Sequence, residues 1–65
     1  MPDGGAPRWL PQDLAAAYLC LSVSTFRRRV RAGVLPAAVD TLGVLRWDRE
    51  ALDAAMAARA ATVEQ

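Results

Sequence analysis

Residues 19–33 read Leu-Cys-Leu-Ser-Val-Ser-Thr-Phe-Arg-Arg-Arg-Val-Arg-Ala-Gly, and this stretch decides how the chain folds. Ser22 is a good N-cap, because its hydroxyl can accept hydrogen bonds from the free backbone N–H groups of the next turn. The pattern predicts a helix over 23–32. Gly33 follows it, and glycine is the residue type that most often occupies the position just past a helix C-terminus.

The helix predicted over 23–32 has an apolar face and a basic face. At about 100° per residue, three side chains fall in one narrow arc that we expect to be buried: Val23, Phe26 and Val30. The outward face carries short hydroxyls and long guanidinium groups: Ser24, Thr25, Arg28 and Arg31, with Arg27 at one edge. Such a face suits DNA, because arginine's planar fork can bond guanine O6 and N7 together or bridge phosphate oxygens.

A second predicted helix precedes this one. Pro11 suits a first helical position, and the apolar face is expected to comprise Leu14, Ala15, Tyr18 and Leu19. Only Cys20 and Leu21 separate the two helices, so the chain must turn sharply between them. This is the spacing of a helix-turn-helix.

The remainder predicts a hairpin and a third helix. Strands are expected at 37–40 and 44–47, joined by a turn around Thr41-Leu42-Gly43. Arg46, on the second strand, is placed to reach neighbouring DNA backbone. Asp48 should cap a helix whose apolar stripe is Leu52, Ala55 and Met56 and which fades near 60–62. The predicted order is therefore α-α-β-β-α, mainly α with a short β-hairpin.

Composition excludes much chemistry. The 65 residues include no histidine and one cysteine, so neither a His/Cys zinc site nor a histidine-dependent nucleophilic triad can form within one chain. We expect no catalysis and no cofactor. The net charge is only +1, but it is segregated: the four arginines within 27–31 oppose an acidic group at Asp48, Glu50 and Asp53.

Neither a signal peptide nor a membrane span is evident, so we expect a cytoplasmic protein. Residues 1–8 contain two prolines and two glycines and are predicted to form a disordered arm. The domain is expected to occupy residues 9–60, with 61–65 frayed.

The order of motifs resembles small winged helix-turn-helix proteins of the AlpA/excisionase type, related to MerR-like DNA-binding domains. The matching pieces are Leu14-Ala-Ala-Ala-Tyr-Leu-Cys-Leu-Ser22, Ser24-Thr-Phe-Arg-Arg28, Gly33-Val-Leu-Pro36, Arg46-Trp47 and Asp48-Arg-Glu-Ala-Leu52. The resemblance covers residues 9–58. Two positions depart from the pattern: Cys20 stands where glycine is usual, and the wing tip at 40–43 carries an acidic residue and no basic one.

The resemblance implies sequence-specific binding of double-stranded DNA by helix 22–32, as an excisionase or a transcriptional regulator of phage or mobile-element type. The expected DNA-binding residues are Ser22, Ser24, Thr25, Arg27, Arg28, Arg31 and Arg46. An integrase or recombinase is an expected partner, as is head-to-tail self-association on DNA. Two alternatives stay open: the DNA-recognition domain of a small terminase subunit, and a helical protein-interaction module with an alanine-rich face on the third helix.

Overall fold

The structure, a computed structural model, describes the backbone of residues 7–63 and the side-chain exposure of residues 7–60. The described elements, in chain order, are β1 (Trp9–Leu10), α1 (Gln12–Tyr18), α2 (Val23–Arg31), β2 (Val39–Thr41), β3 (Val44–Asp48) and α3 (Arg49–Val63). The strands form one antiparallel sheet in the order β1-β3-β2. The predicted order α-α-β-β-α is present, and β1 is an addition that makes the described chain mixed α/β.

The core lies where α2 packs on the central strand. The rings of Phe26 and Trp47 meet edge to face with centroids 5.1 Å apart, and both side chains are buried. The indole N–H of Trp47 donates to the carbonyl of Pro36 at 3.0 Å, which satisfies the polar edge of the ring inside the core. The other buried members of this cluster are Leu10, Ala15, Ala16, Leu35 and Leu52.

The buried face of α1 differs from the predicted one. Ala15 and Ala16 are fully buried, whereas Leu14 and Tyr18 are exposed. The face is therefore rotated toward Ala16, because two adjacent alanines allow the helix backbone to approach the core more closely than leucine or tyrosine would. Pro11 is the N-cap of α1 with extended ψ, one position earlier than expected.

The predicted phase of α2 is confirmed at its centre and fails at its start. Phe26 is fully buried and Val30 packs against the core. Val23, expected to be buried with them, is exposed. It is the first residue of α2.

The turn between α1 and α2 is a Schellman motif with cysteine at its left-handed position. The N–H of Cys20 donates to the carbonyl of Ala17, and the N–H of Leu21 donates to that of Ala16, both at 2.9 Å. Cys20 has φ +60°, a backbone conformation that glycine adopts without steric cost. The structure confirms that this departure from glycine occurs at a position that favours glycine.

The same motif ends α2 with glycine in place. Gly33 has φ +81°, its N–H donates to Val30, and the N–H of Val34 donates to Arg29 at 2.9 Å. The two helix ends thus have equivalent hydrogen bonds. They differ in the residue that has positive φ, which is Cys20 after α1 and Gly33 after α2.

Strand β2 begins two residues later and ends one residue later than predicted, whereas β3 begins where predicted and ends one residue later. A two-residue turn, Leu42-Gly43, joins β2 and β3, and both residues have positive φ, as a type I′ turn requires. The carboxylate of Asp40 accepts from the N–H of Gly43 at 2.8 Å, and the Thr41 hydroxyl donates to the carbonyl of Val44 at 2.8 Å. These two side-chain bonds hold the turn in place of the usual Asn-Gly pair.

Arg8, expected in a disordered arm, is instead held by the fold. Its carbonyl accepts from the N–H of Arg49, and its guanidinium binds Asp48 at 3.1 Å. The next residue, Trp9, pairs with Asp48 in the sheet, and its side chain is exposed. Residues 1–6 of the predicted arm lie outside the described residues.

Asp48 caps α3 as predicted, accepting from the N–H of Glu50 at 3.0 Å. The helix continues to Val63, past the end expected near 60–62. Glu64 and Gln65 of the predicted frayed end lie outside the described residues.

Replacing Cys20 by glycine should stabilise the domain by about 1 kcal/mol, because glycine removes the steric cost of φ +60° at an exposed side chain. In a domain of this size, that corresponds to a rise in Tm of about 4–8 °C. Cys20→Ala is the matched control, since it also removes the thiol but keeps a Cβ. Thermal unfolding of the three proteins measures the difference. Equal gains from both substitutions would show that the thiol, not the backbone angle, is destabilising.

Candidate nucleic-acid interface

The outward face of α2 carries one continuous row of polar side chains. An open depression of about 310 Å³ is lined by Ser24, Arg27, Arg28 and Arg31. These positions are three or four residues apart, so they stack along one side of the helix. The burial of Phe26 on the opposite side fixes this orientation. Four of the seven predicted site residues are therefore brought together.

Two other predicted residues, Ser22 and Thr25, form the start of the same helix. The Ser22 hydroxyl oxygen accepts from the N–H of Thr25 at 3.2 Å and lies 3.0 Å from its hydroxyl. Thr25 is half-buried, so it belongs to the edge of the row. The main role of this pair in the structure is to cap α2. Ser24 is exposed and lines the depression, and its hydroxyl lies 3.4 Å from that of Ser22.

Arg46 is separate from the row on α2. It lies on β3 opposite Val39 and is half-buried, and its guanidinium donates to the Thr41 hydroxyl at 3.4 Å. The Arg46 guanidinium thus extends along the hairpin toward Thr41. The charged residue closest in sequence to the hairpin turn is Asp40, which is negative.

The arginines of α2 have no ion-pair partner among the described residues. Three acidic side chains are engaged elsewhere: Asp48 and Glu50 contact Arg8, and Asp53 accepts from the Tyr18 hydroxyl at 2.6 Å. Charge is therefore separated on the surface. The row on α2 presents uncompensated positive charge together with many N–H donors, an arrangement that binds phosphate oxygens well.

Two pKa shifts accompany the acidic cluster. The hydrogen bond from Arg8 is the main cause that lowers the pKa of Asp48 below 3.8, opposed by partial burial and aided by the backbone N–H groups of α3. The hydrogen bond to Asp53 is the main cause that raises the pKa of the Tyr18 hydroxyl above 10.0. The Asp48 carboxylate thus stays ionised at neutral pH, and the partners of both Asp48 and Asp53 lie outside α2.

Within the described residues, no three His, Cys, Asp or Glu side chains are grouped so as to hold a metal ion. None of the helices in that part of the chain combines the length and apolar character needed to cross a bilayer. Comparison with known proteins gave no match: no protein-family model, no curated protein and no solved structure matches this chain.

Sequence reasoning missed a second surface feature. An apolar groove of about 100 Å³ lies between the α1–α2 turn, the segment after α2, and α3. It is lined by Leu19, Leu21, Val34, Leu35 and Met56, with Arg29 and Arg59 also at its walls. Its lining comes from three segments that are distant in the chain, so no local sequence pattern could have indicated it.

The contact between Arg8 and Asp48 predicts a pH dependence. Since the folded-state pKa of Asp48 is lowered, the pair stabilises the fold at pH values above 3.8, and this contribution is lost as the pH falls through the folded-state pKa. Arg8→Met should raise that pKa toward its ordinary value. The free energy of unfolding should then decrease less steeply as the pH falls. NMR titration of the Asp48 carboxyl, with Arg59→Met as the control, measures this. An unchanged titration would contradict the contact.

Proposed function

We propose that this chain is a winged helix-turn-helix DNA-binding module that inserts α2 into the major groove. The observation that carries the proposal is the row of three unpaired arginines behind an exposed serine, set opposite the buried Phe26. A helix that enters the major groove directs its first exposed side chains at base edges. Ser24 is short enough to permit close approach there.

The three arginines would have different tasks. Arg28 lies almost opposite Phe26 in helical phase, so it points most directly away from the protein and toward base edges. Arg27 and Arg31, one turn apart, lie together on one side of Arg28 in helical phase and would contact phosphates along that side. This division separates base reading from backbone positioning, which most protein–DNA interfaces combine.

The hairpin, as the wing, would contribute little charge. Arg46 is bonded within the hairpin and Asp40 lies beside the turn, so the wing offers no cluster of cations for phosphates. Binding then depends mainly on α2. One module of this size covers less DNA than specific complexes usually need, so several copies on adjacent sites would act together.

The role that fits such a module is regulatory or architectural and non-catalytic. Bound copies would either occlude a promoter or organise DNA for an integrase or recombinase. Footprinting on flanking genomic DNA separates these roles. Protection of tandem repeats beside a recombination attachment site supports a recombination directionality factor, and protection over a promoter supports a transcriptional regulator.

Binding should depend strongly on salt. If Arg27 and Arg31 each neutralise one phosphate, log K against log salt should fall with a slope of about −1.8. Fluorescence anisotropy with a labelled duplex over a salt series gives this slope. No binding at low salt, or a slope near zero, would contradict the proposed function.

Substitutions on α2 should separate the recognition of bases from the contact with phosphates. Arg28→Ala should cost about 1–3 kcal/mol on the preferred site and relax the choice of one base pair. Arg31→Ala should weaken all sequences alike and reduce the salt slope by about one unit. Arg29→Ala is the matched control, because Arg29 is exposed on the same helix but lies outside the depression. A binding series over single-base variants of the site, run with each protein, makes the comparison. Identical site preference for all of them would mean that α2 contacts the DNA backbone alone.

A further inference from the structure

The hairpin turn carries an exposed leucine in an unfavourable backbone conformation. Leu42 has φ +58°, in the left-handed region, and its side chain is 101% exposed. Asn, Asp or Gly would adopt this φ more readily at a two-residue hairpin turn. The leucine makes no packing contribution to the fold in return. The packing of the fold therefore gives no reason for a leucine at this position.

Leu42 is part of a larger apolar tip. Val44 and Leu45 on β3 are also exposed, and Asp40 is the charged residue among them. We call residues 40–45 the hairpin tip. An apolar surface with one negative charge is a poor match for the phosphates of DNA. It is a good match for an apolar recess bordered by cations.

The same chain contains such a recess in the apolar groove described above. Its volume of about 100 Å³ is several times that of one water, which suits a single branched aliphatic side chain. Arg29 and Arg59 lie at its walls and have no ion-pair partner among the described residues. Met56, half-exposed at the groove, is a flexible side chain that can adjust to an inserted group.

We propose that the hairpin tip of one copy docks into the apolar groove of a second copy, with Leu42 inserted among the apolar side chains and Asp40 facing Arg29 and Arg59. Both surfaces belong to every copy, and they are different surfaces. The contact is therefore heterologous, and its repetition adds copies head to tail.

The contact area is small, so the association should be weak in free solution, with a Kd of about 1 mM. It does not require DNA, which makes it testable apart from the proposed function. If copies sit side by side on one duplex, their high effective concentration would make the same contact strong enough to couple neighbouring sites.

The test uses two complementary variants and NMR. Leu42→Asn removes the inserted side chain, and asparagine tolerates positive φ, so the hairpin should remain folded. Met56→Glu places a negative charge in the groove while leaving the tip intact. Neither variant should associate with itself. Adding unlabelled Met56→Glu protein to ¹⁵N-labelled Leu42→Asn protein should shift amide signals of the groove, at Val34 and Met56, and leave the labelled tip unchanged.

Two control donors isolate the leucine. The donor Met56→Glu with Leu14→Gln should still shift the groove signals, because Leu14 is an exposed leucine in neither surface. The donor Met56→Glu with Leu42→Asn should not. If the Met56→Glu, Leu14→Gln donor caused no shifts, the proposal would be overturned. Shifts confined to the labelled tip would also overturn it, because they would indicate tip-to-tip contact.

The charge pairing has its own variant. Asp40→Asn in the donor keeps an oxygen that accepts from Gly43 but removes the negative charge. Association should weaken about 2- to 5-fold at low salt and less at high salt. Equal association at all salt concentrations would overturn the pairing of Asp40 with the groove arginines.

A DNA measurement excludes the competing use of the tip. On a duplex with a single isolated site, Leu42→Asn should bind as the parent does. On a duplex with two adjacent sites, it should lose a cooperativity of about 5- to 150-fold. Loss of affinity for the single site would assign the tip to DNA and overturn the proposal. Loss of all DNA binding by the parent would defeat the proposed function and leave the NMR result standing.

Discussion

The edge-to-face contact between Phe26 and Trp47 is the interaction on which the rest of this structure depends. It joins α2 to the central strand, and the bond from the Trp47 indole to Pro36 also fixes the segment that connects them. Burial of Phe26 sets the rotation of α2 about its own axis. Because Arg28 lies almost opposite in helical phase, that one contact determines which side chains face outward. Loss of the Phe26 ring would cost about 3–5 kcal/mol, a large part of what so small a domain possesses.

The sequence predicted those features of the fold that depend on interactions between residues close together in the chain. The Ser22 cap, the Gly33 helix end and the Asp48 cap lie where the sequence indicated, because each depends on hydrogen bonds within a few residues. Strand β1 was missed, since two residues carry no periodicity and the strand exists only by pairing with β3. The face of α1 was misplaced because apolar size favoured Leu14, whereas close helix approach favoured Ala16. The row on α2 was predictable because it follows from the periodicity of one helix. The apolar groove was not, because its lining comes from segments distant in the chain.

The surface separates its charges because three acids at the start of α3 have local partners. Arg8 contacts Asp48 and Glu50, and Tyr18 donates to Asp53, so these carboxylates are held around the start of α3. A net charge of +1 therefore understates the positive potential of α2. On the proposed account, this separation lets one small domain present a basic face to DNA while its apolar hairpin tip and groove remain available for a neighbouring copy. Nothing in this arrangement requires the hairpin to bind phosphate.

On the proposed function, the phase of α2 makes its arginine row the DNA-binding surface. Titrating the ¹⁵N-labelled protein with a short duplex bearing one footprinted site, at low salt, tests this residue by residue. The account predicts saturable shifts concentrated at Ser24, Arg27, Arg28 and Arg31, including their guanidinium signals, with Arg29 and the groove unchanged. Shifts centred on α3 or on the hairpin tip, or none at low salt, would contradict it.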